Sequence, residues 1–370
     1  MAKTDPRNGM LTVRVLTEKN KTINSCGLIT PLIRSRTPFR DMGIDICDIL
    51  ETDVDVPGSD ILIIDSKYFR KYWQSRKDEG LAALESLRRT TNKLCWFDTG
   101  DSTGMVQSQV FPLVHNYYKA QMLRDKNVYV NKLYGGRIYT NYFFENNSVE
   151  DSSPEFNATI LPDEKEKLQP AWNYGLARGY GRTGNSLNRL YCKLVGMWYQ
   201  PKENRYTFVR ASKRNGLFLR MNLTYDRKTV SFQRENTLEL LKHLDSRQGI
   251  VSKHRYLRDM RKSRVVVSPF GWGEINIRDF ECFASGGLLV KPSMSHIVTF
   301  PDYYIDNETY IPVTWSLDNL ISRVEDVLLN YNENIDIAIE AHKRFKYFSE
   351  SSDGINEFVE YAGKLIAGRR

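Results

Sequence analysis

Short apolar runs, unbroken by polar residues and too brief for helices, set the limits on what this chain can fold into. Residues 60–65 (DILIID), 93–97 (KLCWF) and 264–268 (RVVVS) are the clearest. A strand solvated on one face alternates polar and apolar positions; a strand buried on both faces reads as a continuous run. Strands of that kind belong to parallel sheets with helices on either side. Amphipathic stretches do alternate with these runs, which predicts α/β architecture built from βα units.

The rhythm is heard twice. In the first half, strands are expected at 11–16, 44–46, 60–65 and 93–97, with a helical stretch from Ser66 to about Arg89. Residues 27–40, carrying Pro31 and Pro38, read as turn-rich. Residues 111–114 and 133–137 read as further pieces. Residues 143–170 are rich in Asn, Ser, Glu, Asp and Pro and predict a long surface loop. The aromatic and basic segment 171–206, with Gly175, Gly179 and Gly181, reads as the crossing to the second half. There the strands are expected at 217–221, 264–268 and 288–290. A loop is expected at 224–230, and helices at 231–244, 253–262, 277–285, 317–331, 335–348 and 354–365. Gly286-Gly287 is a helix stop. At 370 residues the chain is too long for one core and suits two domains. The expected division is 1–190 and 191–345, each Rossmann-like and facing a central cleft, with a terminal helical segment, 346–370, packing back on the first domain.

Composition narrows the partners. The net charge is +8, but Lys and Arg are scattered, with modest clusters at 213–214 and 253–264. A nucleic-acid reader concentrates such an excess in a patch or arm, so no nucleic-acid partner is expected. A scattered basic surface suits anions: nucleotide diphosphates, a lipid phosphate, or an anionic membrane face with which the protein associates peripherally. Five cysteines stand far apart without a C-x-x-C pair, and five histidines are too few nearby for a zinc site. Reduced thiols are expected. Residues 1–10 carry no apolar signal core, and no run reaches the ~18–20 apolar residues of a membrane span. The expected location is the cytoplasm.

The chemistry concentrates in residues 268–292, SPFGWGEINIRDFECFASGGLLVKP. The order is strand, glycine loop, helix, Gly-Gly, strand. Ligands of open parallel sheets bind beyond the carboxyl ends of the strands. Gly271 and Gly273 let backbone N–H groups approach a ligand, and the following helix N-terminus suits phosphate. Glu274, Arg278 and Glu281, spaced four and three apart, are expected on one helix face. A carboxylate can accept both hydroxyls of a ribose, and an Arg can pair with a diphosphate. The same row is also what a solvated ion-pair face looks like, and spacing alone tilts toward that reading.

The segment resembles the donor-nucleotide motif of GT-B glycosyltransferases, and is similar to the C-terminal half of exostosin-like and family-one-type transferases. The resemblance covers about 25 residues well, 217–315 loosely, and the first half only as a Rossmann-like rhythm. It implies a GT-B fold and transfer of a sugar from a nucleotide-sugar donor, used as co-substrate without a cofactor, to a hydroxyl of a glycan or glycolipid. It further implies Glu281 at the ribose hydroxyls, Glu274 and the Gly273 backbone at the sugar or its phosphate, and Arg278 at the diphosphate. Cations from neighbouring loops are expected to help: Arg220, Arg227, Lys228 and Lys291. No metal is expected, because GT-B enzymes manage the leaving group with helix dipoles and cations; Asp53-Val-Asp55 sits in a Pro- and Gly-bounded turn.

An inverting transferase needs a general base. Asp98 and Asp101 follow the strand 93–97, and Asp101 is favoured because Gly100 and Gly104 leave it room. The same residues are ordinary turn formers. His115 is a rival base. Tyr134 to Arg137 and Trp172 to Tyr174 are candidate acceptor-side residues, or simply core and domain contacts. A nucleotide-sugar epimerase, a phosphorylase and a non-catalytic binding module share the two-domain layout and stay open, although an epimerase needs more ionisable cleft residues than this His-poor chain offers.

Overall fold

The computed structural model describes residues 9–19, 22–177 and 211–368. The first sheet consists of β1 (Leu11–Leu16), β2 (Ile44–Leu50), β3 (Ser59–Asp65), β4 (Thr91–Asp98) and β5 (Asn116–Lys119), with β7 (Leu168–Pro170) at its edge. Its order is β2-β1-β3-β4-β5-β7, and every pairing is parallel. The second sheet is built from β8 (Leu217–Phe218), β9 (Ser246–Arg247), β10 (Val265–Val267), β11 (Leu288–Pro292) and β13 (Ile311–Val313). It runs β13-β11-β10-β8-β9, again all parallel. Read from the other edge this is the same doubly wound order. Each half therefore has a topological switch point beside its first strand, where a ligand crevice opens at the carboxyl ends. The α/β expectation of two Rossmann-like domains facing a cleft describes the molecule.

Why these segments become strands is visible in their burial. In β3 every side chain from Ile61 to Asp65 is buried, as a two-sided strand requires. Buried Asp65, at the end of β3, accepts from Thr17 Oγ1 at 2.9 Å and Thr99 Oγ1 at 2.8 Å. It thus ties together the carboxyl ends of β1, β3 and β4. The helix α4 (Lys77–Arg89) carries Asp78 and Glu79 in its first turn and Arg88 and Arg89 in its last, matching its dipole.

Several sequence expectations need correction. Residues 27–40 are not turns. They form most of α1 (Ile23–Arg34) and α2 (Arg36–Asp41). Thr22 caps α1 by accepting from Ser25 N–H, and Pro31 lies inside it. Burial overrides the local signal: Asn24 to Leu32 are all buried, and Gly27 lets the helix press on the main chain of Tyr174. Residues 111–114 and 133–137 add no strands; Gly135 and Gly136 form a turn at φ 67° and 69°. The supposed loop 143–170 begins inside α5 (Ile138–Asn147). Helix α6 (Lys228–Leu240) starts earlier than expected, with Asp151 of the first domain accepting from Thr229 N–H at 2.8 Å at its N-terminus. Helix α7 (Lys253–Lys262) and helix α8 (Ile277–Ser285) fall where the sequence placed them. Gly179, Gly181, Cys192 and the expected boundary at 190/191 lie outside the described residues.

The last helices, α9 (Leu320–Leu329), α10 (Tyr331–Glu350) and α11 (Ser352–Ala367), return the chain to the first domain. Tyr118 Oη donates to Leu365 O at 2.8 Å, Lys93 Nζ to Ile366 O at 2.9 Å, and Phe358 packs edge-on against Phe39 and Trp172. One apolar cluster runs through both sheets, from Val13 and Phe97 through Trp172 and Phe280 to Leu289 and Phe358. A two-stranded antiparallel ribbon, β6 (Met122–Leu123) with β12 (Ile297–Val298), also stitches the halves together. Among the described residues no helix is long and apolar enough to cross a membrane.

Candidate functional site

Two cavities lie where the carboxyl ends of the sheets meet. The larger, about 560 Å³, is bordered by Ile23 and Asn24 of α1, Asp101 after β4, Trp272, Gly273, Asn276, Arg278 and Glu281 after β10, and Lys253 and Tyr256 of α7. The smaller, about 370 Å³, lies between the loop 98–107, Arg137 and Trp272. Asp101 and Trp272 border both.

The segment 268–292 supplies the floor of the larger cavity. Helix α8 begins at Ile277 with Asn276 as its N-cap, and Asp279 accepts the Asn276 N–H at 3.0 Å. Of the first turn, Ile277 and Arg278 border the cavity, whereas the Asp279 amide is taken by the capping Asn276. Arg278 stands there only 9% exposed, with Nε and Nη1 buried and without a hydrogen-bond partner. A buried guanidinium with open donors is costly unless an acceptor arrives. One turn on, Glu281, 4% exposed, is ion-paired with Lys253. Tyr256 touches both Glu281 and Arg278 through its phenol, and burial pushes its pKa up. Two cations, a carboxylate and a helix N-terminus thus share one wall.

Glu274 departs from the expected row. It precedes the N-cap and is not on the helix. It is fully buried and reaches the first domain, accepting from Thr103 Oγ1 and, at 3.3 Å, from Thr103 N–H. Burial raises its pKa, and the two Thr103 donors offset this only in part. Gly273 borders the cavity, but its lack of a side chain serves another contact: a Cβ there would lie 2.8 Å from the carbonyl carbon of Asp101 and 3.2 Å from its Cβ. Gly271 lies against Arg234 instead, and its carbonyl accepts from Tyr139 Oη.

Three of the other expected cations, Arg220, Arg227 and Lys291, take structural partners away from the cavity. Arg220 pairs with Asp259 at 2.6 Å and donates to the carbonyls of Gln248 and Gly249. Arg227 bridges to Glu155 and, at 3.0 Å, to Gly135 O across the cleft. Lys291 is fully buried, 3.1 Å from Asp279 and 3.2 Å from Ser268 O, and burial pushes its pKa down to about 8. Lys228 opens α6.

On the first domain, the two aspartates after β4 differ. Asp98 is buried and committed: it accepts from Lys119 Nζ at 2.8 Å, Tyr117 Oη at 2.9 Å and Gly100 N–H at 2.8 Å. Asp101 is half-buried; its Oδ1 accepts from Asn24 Nδ2 at 2.7 Å, and it sits at the junction of the cavities. His115 Nδ1 accepts from Leu94 N–H at 2.9 Å beside β4, away from both cavities. Trp172 is core, Tyr134 stacks on Phe144 at 4.1 Å, and Tyr174 borders the larger cavity while donating to Ile275 O at 2.7 Å. Asp53 accepts from Tyr68 and Tyr72, and Asp55 takes a left-handed turn conformation. Among the described residues no three His, Cys, Asp or Glu side chains gather as a metal site.

Lys253, Tyr256, Asn24 and Trp272 were not singled out by sequence. Only Trp272, a large aromatic between two glycines, carried a local signal.

No family model matches the chain, and no curated protein matches its sequence. Among solved structures it is similar to a glycosyltransferase from Rickettsia africae ESF-5, with 10% identity and TM-score 0.46 over 98% of this chain and 100% of the other. It is similar to Anabaena Alr3699/HepE in complex with UDP-glucose, with 8% identity and TM-score 0.45 over 96% and 100%. It also resembles a Listeria monocytogenes protein described as a UDP-N-acetylglucosamine 2-epimerase, with 10% identity and TM-score 0.38 over 91% and 95%. At these values any functional reading rests on the chain's own residues.

Proposed function

We infer that the protein is a glycosyltransferase of the GT-B type that moves a sugar from a nucleotide-sugar to a hydroxyl of a glycan or glycolipid. The observation that carries this reading is Arg278: a buried guanidinium with two open donors, at a helix N-terminus, on the wall of an interdomain cavity. That wall suits a diphosphate, which needs fixed cationic donors. Glu281, one turn deeper, suits the ribose hydroxyls once Lys253 turns from it toward the phosphates.

In the reaction, the acceptor oxygen forms a bond to the anomeric carbon as the bond from that carbon to the diphosphate breaks. The acceptor proton passes to Asp101, and the nucleoside diphosphate leaves with the electron pair. Arg278 and the α8 amides stabilise the charge that develops on the leaving group. Asp98 is a positioning residue, because its bonds to Lys119, Tyr117 and Gly100 hold the loop that presents Asp101. Attack from the first-domain side, opposite the donor wall, favours inversion.

The test is a thermal-shift and calorimetric screen against UDP-, GDP-, TDP- and CMP-sugars, then product analysis by NMR with the best donor. Stabilisation by one nucleotide class, lost in Arg278→Ala, is expected. If no donor binds the wild type, the reading fails.

A further inference from the structure

We propose that the smaller cavity is the acceptor subsite and that it takes the uncharged pyranose end of a glycan, stacked on Trp272, and not a phosphorylated acceptor. The proposal rests on the transferase reading and goes beyond it by naming the acceptor chemistry.

The two cavities differ in their balance of charge. The larger has Arg278, Lys253 and a helix N-terminus on its wall. The smaller is bordered by a single cation, Arg137, set against two carboxylates, Asp98 and Asp101. Lys119, behind it, is neutralised by Asp98 and also donates to the carbonyls of Ser102 and Met105. Arg137 donates through Nε to Trp272 O at 2.7 Å and through Nη1 to Gly135 O at 2.9 Å. Its guanidinium carbon lies 5.2 Å from the centre of the Trp272 ring. Asp101 then leaves an acidic group at the mouth. A phosphate placed here would face two carboxylates, Asp98 and Asp101, with Arg137 as the one bordering cation.

The chemistry that does fit is carbohydrate. Trp272 is 38% exposed and borders both cavities, and Met105, Val106 and Gln107 line the smaller one. A pyranose presents an apolar C–H face to an aromatic ring and hydroxyls at its rim. Gln107 and Asp101 offer polar groups to those hydroxyls. A sugar on Trp272 has its hydroxyls beside Asp101, at the point where the two cavities meet.

Acceptor binding is measured without donor, by saturation-transfer difference NMR with neutral methyl glycosides and oligosaccharides, and in parallel with sugar phosphates and a short-chain polyprenyl phosphate. Acceptor KM and donor affinity are then measured with the donor found by calorimetry. Wild type is expected to bind and glycosylate neutral glycans. Met105→Trp, which fills the smaller cavity only, should raise acceptor KM at least tenfold and leave donor affinity alone. Trp272→Ala should do the same to KM, and Trp272→Phe should restore most of it. Transfer to phosphorylated acceptors with neutral glycans inert overturns the proposal, as does a Met105→Trp protein with unchanged acceptor KM. Neutral-glycan binding without any nucleotide-sugar binding sinks the transferase reading but leaves this cavity a glycan site.

Discussion

Replacing Gly273 with Ala separates two reasons for a glycine in this loop. Sequence reasoning assigns it to backbone approach by a ligand; the structure assigns it to the contact between domains. An added Cβ would lie 2.8 Å from the Asp101 carbonyl carbon and closer still to its oxygen. Carbon atoms pack at about 3.5–4.0 Å, so the two loops must part by roughly 0.7 Å or more. Neither is loose: Asp101 is held by Asn24 and Gln121, and Glu274 is tied to Thr103. Overpacking of this kind costs about 1–3 kcal/mol. That is a Tm loss of roughly 2–12 °C, at about 2–4 °C per kcal/mol for domains of this size. The larger effect is on chemistry, because displacing a reacting group by about 1 Å can cost about a hundredfold in rate. Gly273→Ala should therefore bind donor within a few-fold of wild type by calorimetry while kcat falls about a hundredfold. Loss of donor affinity with kcat intact would return the glycine to the ligand and refute the argument.

Three further outcomes follow from the site. Arg278→Ala should weaken donor binding by about 1.5–3 kcal/mol, roughly ten- to hundredfold in Kd by titration calorimetry, with Arg278→Lys in between. Lys291→Met takes the counter-ion from buried Asp279, which keeps its bonds from Ser268, Asn276 and Tyr304, and should cost up to about 3–5 kcal/mol in denaturant unfolding; donor affinity lost without loss of stability would show that Lys291 reaches the ligand. Glu274 has a pKa raised by burial, so its favourable contribution to folding is present below the unfolded-state value and is lost as pH rises through the folded one. Relative to non-titrating Glu274→Gln, wild type should thus lose Tm as pH rises above the ordinary glutamate range, and a gain there would contradict the raised pKa.

Much of the second domain was legible because its signals are local. The run 265–267, the helix Ile277–Ser285 and its Gly286 stop are encoded within a few residues. The first domain hid α1 behind Gly27, Pro31 and Pro38, since burial against Tyr174 is a long-range fact. The site divided the same way. Arg278 and Glu281 follow from helical spacing once the helix start is known. Glu274 could not, because its partner Thr103 lies 171 residues away. Arg220, Arg227 and Lys291 share the pattern of a cation near a strand end. What distinguishes them is whether a fixed acid or carbonyl waits nearby: Asp259, Glu155 and Asp279 do, and nothing equivalent meets Arg278 Nε and Nη1.

On the proposed transferase reading, donor and acceptor must be aligned across the cleft. A two-domain transferase is ordinarily imagined to close around its donor. Here the halves share one apolar cluster, a two-stranded ribbon and the contacts of Glu274 with Thr103, Tyr139 with Gly271 and Asp151 with Thr229. A large apolar interface resists relative domain motion in a way that a small polar one does not. Opening this cleft would expose that cluster and strand buried Glu274 without Thr103. The parts left to move are those on the rim: Lys253, half exposed and paired with Glu281, and Trp272 between the cavities. On the proposed transferase reading, alignment of the anomeric carbon with Asp101 is therefore a property of the fixed contact at Gly273, and donor entry is a matter of side chains giving way.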